Sequence, residues 1–272
     1  MSIRLMFITN NPRIALDAER AGVDRIFIDL ETVGKAARQG GMDTVQSRHT
    51  VADVRAMRSV LTDAELFVRV NQIYDGSAAE IDAVIEAGAD VVMLPYFKYP
   101  AQVKTFLSCV AGRAKTCLLF ETPESVDCAD EILATPGIDE CYVGLNDMHL
   151  GYGQKFMFQL VADGTVDLLC RKFAAAGKTY GFGGIARIGT GTLSADVILG
   201  EHVRLGSSIV ILSRGFCDVR TFSEQECAAV FAEEVPKLRE KEKEYRSLSV
   251  EFFENNHKEL QRIVAKIVEA KS

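Results

Sequence analysis

Two carboxylates stand at the ends of short apolar runs in this chain. Glu121 closes LLFE, and Asp147 follows the run CYVG in CYVGLND. Other runs end the same way: RIFI leads to Asp29 and Glu31, and LFV leads to Arg69 and Asn71. No paired His or Cys accompanies Glu121 and Asp147, so the two are hard oxygen donors. Such donors suit Mg²⁺ or Mn²⁺, ions that keep open positions for water and substrate oxygens. A guanidinium at a strand tip, as at Arg69, suits a planar carboxylate or an enolate oxygen. Each residue also has a structural reading. Glu121 precedes Thr-Pro-Glu, a good helix start, and Asp147 suits a turn. Arg69 has a salt bridge to Glu31 or Glu121 as its alternative.

These residues need a scaffold that brings strand ends together. AGVDRIFID, AGADVVMLP, AGRAKTCLLFE, PGIDECYVG and AGKTYGFGG each place Gly just before an apolar run. Gly at that place is what a helix C-cap needs, and the runs are continuous, as in buried parallel strands. Between them, residues 50–61 and 77–88 carry helical spacing, with Val51, Val54, Met57 or Arg58 and Leu61 on one face and Ile81, Val84 and Ile85 on the other segment's face. Strands are expected at 3–8, 25–30, 65–70, 90–94, 115–121, 138–144, 179–183 and within 203–212. Eight strands alternating with helices predict a (β/α)₈ TIM barrel, in which all C-terminal strand ends share one mouth. A doubly wound sheet would need a glycine-rich nucleotide loop after the first strand, and ITNNPRIA has none. The barrel core is placed at 1–221. Residues 222–272 form a C-terminal helical extension whose apolar stripe (Val250, Phe253, Leu260, Val264, Ile267) is to pack on the barrel or on a neighbouring subunit.

The 272 residues, 48% hydrophobic, suffice for one such barrel, and the net charge of −7 with no basic patch excludes nucleic acid as a main partner. KLREKEKEYR reads as a solvated helix face. The first apolar run is too short for a signal peptide or a membrane span, and seven cysteines without a CxxC read as reduced, mostly buried side chains. A cytoplasmic protein with no membrane partner is expected.

DLETVGKAAR resembles the corresponding stretch of citrate-lyase β-subunit-like proteins. VRVN, FET and GLNDM with the following LG are similar to the arginine and metal-ligand motifs of the wider superfamily, which includes the metal-dependent 2-oxo-acid aldolases of HpcH/HpaI type. The resemblance spans about residues 20–215. It implies that Glu121 and Asp147 hold a divalent metal, Mg²⁺ or Mn²⁺, that chelates pyruvate or a similar 2-oxo acid. Arg69 would meet the keto oxygen, and the amides of Leu145 and Asn146 the carboxylate. Arg69, Glu31 and Asp29 are the catalytic candidates, and Arg69, Leu145, Asn146 and Asp147 the substrate-binding ones. The resemblance also implies a homo-oligomer, trimeric or hexameric, with exchanged C-terminal helices. The chain departs from the pattern at Thr32, where the aldolases carry a histidine, and at Leu119, where they carry a glutamine; the Ile-His-Pro stretch of the lyase branch is absent.

Further candidates are His149, two residues past Asp147; Arg187, with the glycine-rich GFGGIARIGTG as a phosphate or distal-carboxylate subsite or, equally, as glycines fitted to a tight barrel corner; and Lys35 with Arg48 toward an anionic tail. His49 is a weaker one. The expected activity is a metal-dependent carbon–carbon lyase, cleaving or forming an aldol bond through an enolate. The alternatives are a hydroxyacyl-CoA lyase of the citrate, malyl or citramalyl-CoA type, with Lys35, Arg38 and Arg48 at a CoA lip, and a catalytically silent barrel that binds a small acid.

Overall fold

The computed structural model describes residues 2–34 and 48–271. Among them, β1 (Arg4–Ile8), β2 (Arg25–Asp29), β3 (Glu65–Arg69), β4 (Val91–Leu94), β5 (Lys115–Phe120), β6 (Glu140–Val143), β7 (Thr179–Ile185) and β8 (Ile209–Leu212) pair in chain order. The pairing is parallel throughout, and β8 closes on β1. With helices between the strands outside, this is a TIM barrel, and closure excludes the doubly wound sheet. Lys35 and Arg38 lie outside the described residues.

The elements follow from local chemistry. β2, β4 and β6 bury every residue, as continuous apolar runs require. The inward-facing layer holds Met6, Phe27, Phe67, Val91, Met93, Cys117, Leu119, Tyr142 and Ile209, and the outward faces pack against the helices. Gly22, Gly88, Gly112, Gly137 and Gly177, the glycines read as helix stops, all have φ between +68° and +102°. The helix Val51–Val60 starts with a capping box between Thr50 and Asp53 and buries Val54 and Met57. The open boundary of the last strand resolves at Leu212, while residues 203–204 belong to the preceding helix Ala195–Arg204.

Residues 222–272 hold two helices, Glu224–Tyr245 and Val250–Ala270, separated by a break with Ser249 as the second N-cap. The last helix lies on this chain's own barrel, against Ala195–Arg204 and Gln159–Ala162. Leu260 and Val264 are buried there, Asn256 Nδ2 donates to Glu201 Oε1 at 2.8 Å, and His257 Nδ1 meets Glu201 Oε2 at 2.9 Å. The centre of the apolar stripe is thus covered within the chain. No described helix is long and apolar enough to cross a membrane.

The N-terminal end of the barrel is closed by charge. Arg25, fully buried at the start of β2, donates from Nη1 and Nη2 to Glu140 at 2.7 and 2.6 Å and from Nε to Glu65 at 2.7 Å. Arg4 adds a contact to Glu140 at 3.1 Å, and Lys115 one to Glu65 at 2.5 Å. All five residues begin strands, so strand starts converge on one ion cluster. Removing one partner of a buried pair leaves the other uncompensated. Glu140→Ala is therefore expected to cost about 3–5 kcal/mol of stability, measured by urea unfolding. A midpoint equal to wild type would mean that the cluster contributes nothing net.

Candidate functional site

The opposite end of the barrel carries Arg69 and the carboxylates. The β2–β3 register sets Asp29 directly beside Arg69. Asp29 accepts from Arg69 Nε and Nη2, both at 2.8 Å, and Glu31 lies 3.4 Å from Nη1. The Phe27 ring sits 5.7 Å from the guanidinium. Burial alone would lower the arginine's pKa, but the adjoining carboxylates raise it, so Arg69 is a fixed cation with its plane set. The structural alternative is thus real in part: Asp29 and Glu31 engage at most three of the five N–H donors, and the others remain for a ligand. Arg69 still lines the cleft.

Glu121 leaves the tip of β5. The helix that follows is capped by Thr122, whose side chain accepts from Ser125 N–H, with Pro123 in the first turn. Glu121 is free of that task. Its Oε1 accepts from Tyr96 N–H at 2.9 Å, an amide delivered by a non-glycine residue at φ +47°. Asp147 lies in the first turn of the helix Leu145–Gly151, which begins at Gly144 without a side-chain cap, so Asp147 is not a cap either. Gly144 is needed for space: a Cβ there would fall 2.8 Å from Glu121 Oε2 and 2.9 Å from Glu121 Cβ. Glu121 is 4% and Asp147 8% exposed. Burial, then the charges of Glu31 and Asp147, push the Glu121 carboxyl up to about 8, against the pull of Arg69.

Glu121, Asp147, Arg69, Leu145 and Asn146 line one cleft of about 280 Å³, together with Ile8, Phe27, Tyr142, Gly183, Gly184, Ile211 and Arg214. Glu121 and Asp147 also border an outer hollow of about 480 Å³ with Tyr96, Lys98, Glu124 and Leu150. The two carboxylates therefore stand in the partition between two solvent spaces.

Other candidates fall elsewhere. His149 hydrogen-bonds through Nδ1 to Leu145 O at 3.1 Å, one helical turn back, and does not line the cleft. His49 lies beside the Arg69 system, its Nδ1 accepting from Asp29 N–H at 3.1 Å. Arg187 is not a cleft residue, and its Nε is buried without a hydrogen-bond partner. In the glycine-rich loop, the Gly189 amide already donates to Asp196 Oδ2 at 2.7 Å, so a side chain of the protein occupies an amide that an anion would need. Asn71 anchors backbone: its Oδ1 accepts from Thr32 and Val33 N–H, both at 2.8 Å, and its Nδ2 donates to Glu80 at 2.7 Å. Arg214, Tyr96 and Tyr142 were not foreseen. Arg214 lies two residues past the end of β8; no local pattern marks the other two.

Residues 4–185 match the HpcH/HpaI aldolase/citrate lyase family, and the chain belongs to it. No curated protein sequence matches it. Among solved structures, it is similar to an HpcH/HpaI aldolase from Desulfitobacterium hafniense DCB-2, with a TM-score of 0.62 at 16% identity over 78% of this chain and 86% of that one. The citrate synthase SbnG gives 0.59 at 17% identity over 79% and 87%, and macrophomate synthase 0.54 at 14% over 78% and 77%. At such identities these three show the shared barrel.

The raised Glu121 carboxyl has a consequence for the metal-free protein. Unfolded, the group ionises near 4.5; folded, near 8. The native state therefore holds the extra proton between these values, and stability falls as pH rises through that window. Glu121→Gln keeps the acceptor for Tyr96 and removes the charge. It is expected to stabilise the metal-free protein at pH 8 by on the order of 1–3 kcal/mol, several degrees in Tm, and much less at pH 5. Thermal melts in chelator at both pH values check this; equal shifts at both would contradict it.

Proposed function

We propose that this protein is a divalent-metal-dependent carbon–carbon lyase acting on a 2-oxo acid such as pyruvate or its aldol adducts. The observation that carries the reading is that buried Glu121 and Asp147 line one cleft with the fixed Arg69. Family membership supports lyase chemistry. Among the described residues, no three His, Cys, Asp or Glu side chains are grouped to hold a metal. The donor set is thus two carboxylates, which fits Mg²⁺ or Mn²⁺, ions often held by one or two carboxylates with water and substrate completing the sphere. Glu121 and Asp147 would hold the ion. When bound, it supplies Lewis-acid polarisation of the substrate's keto group.

The chain's own groups then have these roles. Arg69 donates to the keto oxygen, where negative charge accumulates as C3–C4 of a 4-hydroxy-2-oxo acid breaks. The 4-hydroxyl gives up its proton to a base as C3–C4 breaks, the aldehyde departs, and one proton is returned to the enolate carbon C3 to make the methyl group of pyruvate, so the proton count closes. Asp29 and Glu31 keep the guanidinium plane fixed, so little reorientation is needed as charge develops. Leu145 and Asn146 line the cleft beside Asp147, and their amides would receive the substrate carboxylate.

Two measurements test the assignment. Glu121→Gln and Asp147→Asn are each expected to weaken Mn²⁺ binding by orders of magnitude with the fold intact, read by calorimetry and circular dichroism; unchanged affinity in both would remove the metal site. Arg69→Lys keeps the charge but loses the planar fork. It is expected to slow exchange of pyruvate methyl protons with deuterium by about a hundredfold, while pyruvate affinity changes far less. Exchange followed by NMR decides it. A wild-type protein that binds Mn²⁺ and pyruvate without exchange is the silent binder instead.

A further inference from the structure

Among the described residues of the buried inward-facing layer, Tyr142 alone carries a hydroxyl, and it is 1% exposed. It stands on β6, yet its hydroxyl acts between β7 and β8. It donates to Gly183 O at 2.6 Å and accepts from Ile211 N–H at 3.0 Å. These two backbone groups belong together. One ladder step onward, Ser213 N–H donates directly to Ile185 O at 2.8 Å. In a regular parallel ladder, Ile211 N–H would donate to Gly183 O in the same way. The Tyr142 oxygen is inserted into that bond.

The pairing shows the result. Gly181 pairs with Ile209 and Gly184 with Ile211, so three steps on β7 oppose two on β8: a bulge. The glycines of YGFGG make it feasible. A Cβ at Gly181 would lie 2.0 Å from Ile209 O and 2.9 Å from Tyr142 Cε2, so no side chain fits where the tyrosine ring crosses. Gly183 has φ +54°, and a Cβ there would lie 2.7 Å from Leu145 Cδ1. The missing side chain at Gly183 thus leaves room for Leu145, which opens the helix carrying Asn146 and Asp147. Gly183, Gly184, Ile211, Leu145 and Tyr142 all line the cleft.

We propose that the Tyr142 hydroxyl is a positioning group that wedges β7 from β8 and so shapes the wall against which the 2-oxo acid lies. Without it, Gly183 O and Ile211 N–H either close on each other, which draws the wall inward, or stay unpaired. Both outcomes alter the substrate's bed and leave the carboxyl groups of Glu121 and Asp147 in place. The inference rests on the 2-oxo-acid reading of the cleft.

Tyr142→Phe removes the hydroxyl and keeps the ring. With Mn²⁺ saturating, pyruvate affinity is expected to weaken about tenfold, while Mn²⁺ affinity stays within about threefold of wild type; hydrogen exchange is expected to rise in peptides covering 181–185 and 209–213 and not in β3 or β5. Unchanged pyruvate affinity overturns the proposal, as does an equal loss of metal and pyruvate, the mark of general loosening. If the variant fails to fold, wild-type protein labelled with ¹³C-tyrosine replaces it. The slowly exchanging Tyr142 hydroxyl proton is then expected to shift on addition of pyruvate with Mg²⁺, and an unmoved resonance overturns the proposal. Wild-type protein that binds no pyruvate removes the 2-oxo-acid reading and this inference together; wild-type binding with an indifferent Tyr142→Phe removes this inference alone.

Discussion

Glu121 is a buried carboxylate whose near neighbours include two more, and the barrel mouth is organised around that fact. The two ends of the barrel show what is unusual about it. Glu140 at the N-terminal end is as buried as Glu121, at 3% against 4% exposure, but Arg25 grips it with two hydrogen bonds. Glu121 has one backbone amide, from Tyr96, while Glu31 and Asp147 repel it. Burying an anion under repulsion costs several kcal/mol unless a cation completes it. The N-terminal cluster carries its own cations; under the proposed function a bound divalent ion would do the same for the mouth.

Much of this was legible because it follows from periodicity and covalent constraint. The run-and-glycine pattern located the strands, since a left-handed C-cap tolerates little but Gly, and all five glycines adopt that conformation. Closure in chain order then brings Asp29, Arg69, Glu121 and Asp147 to one end without further assumption. Thr122-Pro123 was read as a helix start that could have claimed Glu121 as its cap, and the structure gives the cap to Thr122. The sequence offers Glu and Thr at adjacent positions; only the direction of the chain leaving β5 decides between them.

What stayed hidden depends on contacts between elements far apart in the chain. The stripe on the last helix had two possible covers, the barrel or a neighbouring subunit; within the chain its cover is the helix Ala195–Arg204, where Gly200 leaves no room for a Cβ beside Asn256, which would lie within 2.7 Å. GFGGIARIGTG looked like an anion cradle, but Asp196 already accepts from one of its amides, and its early glycines make room for Tyr142 and Leu145. Nothing local distinguishes a tyrosine that fills space from one that enters a ladder bond 69 residues away.

The mouth is held by backbone placement together with a few buried side chains, and that bears on how its precision is maintained. Arg69 owes its neighbour to strand register, Glu121 owes its space to a missing Cβ at Gly144, and the β7–β8 wall owes its width to one hydroxyl. Tyr96 goes further. A non-glycine residue at φ +47° carries strain of on the order of 1 kcal/mol or more, and here the strained peptide delivers the amide that Glu121 accepts. Side chains on a surface loop would sample many arrangements and lose entropy on each binding event. Constraints set in the ladder and in its turns are met once, when the barrel closes, and each substrate then meets groups already in place.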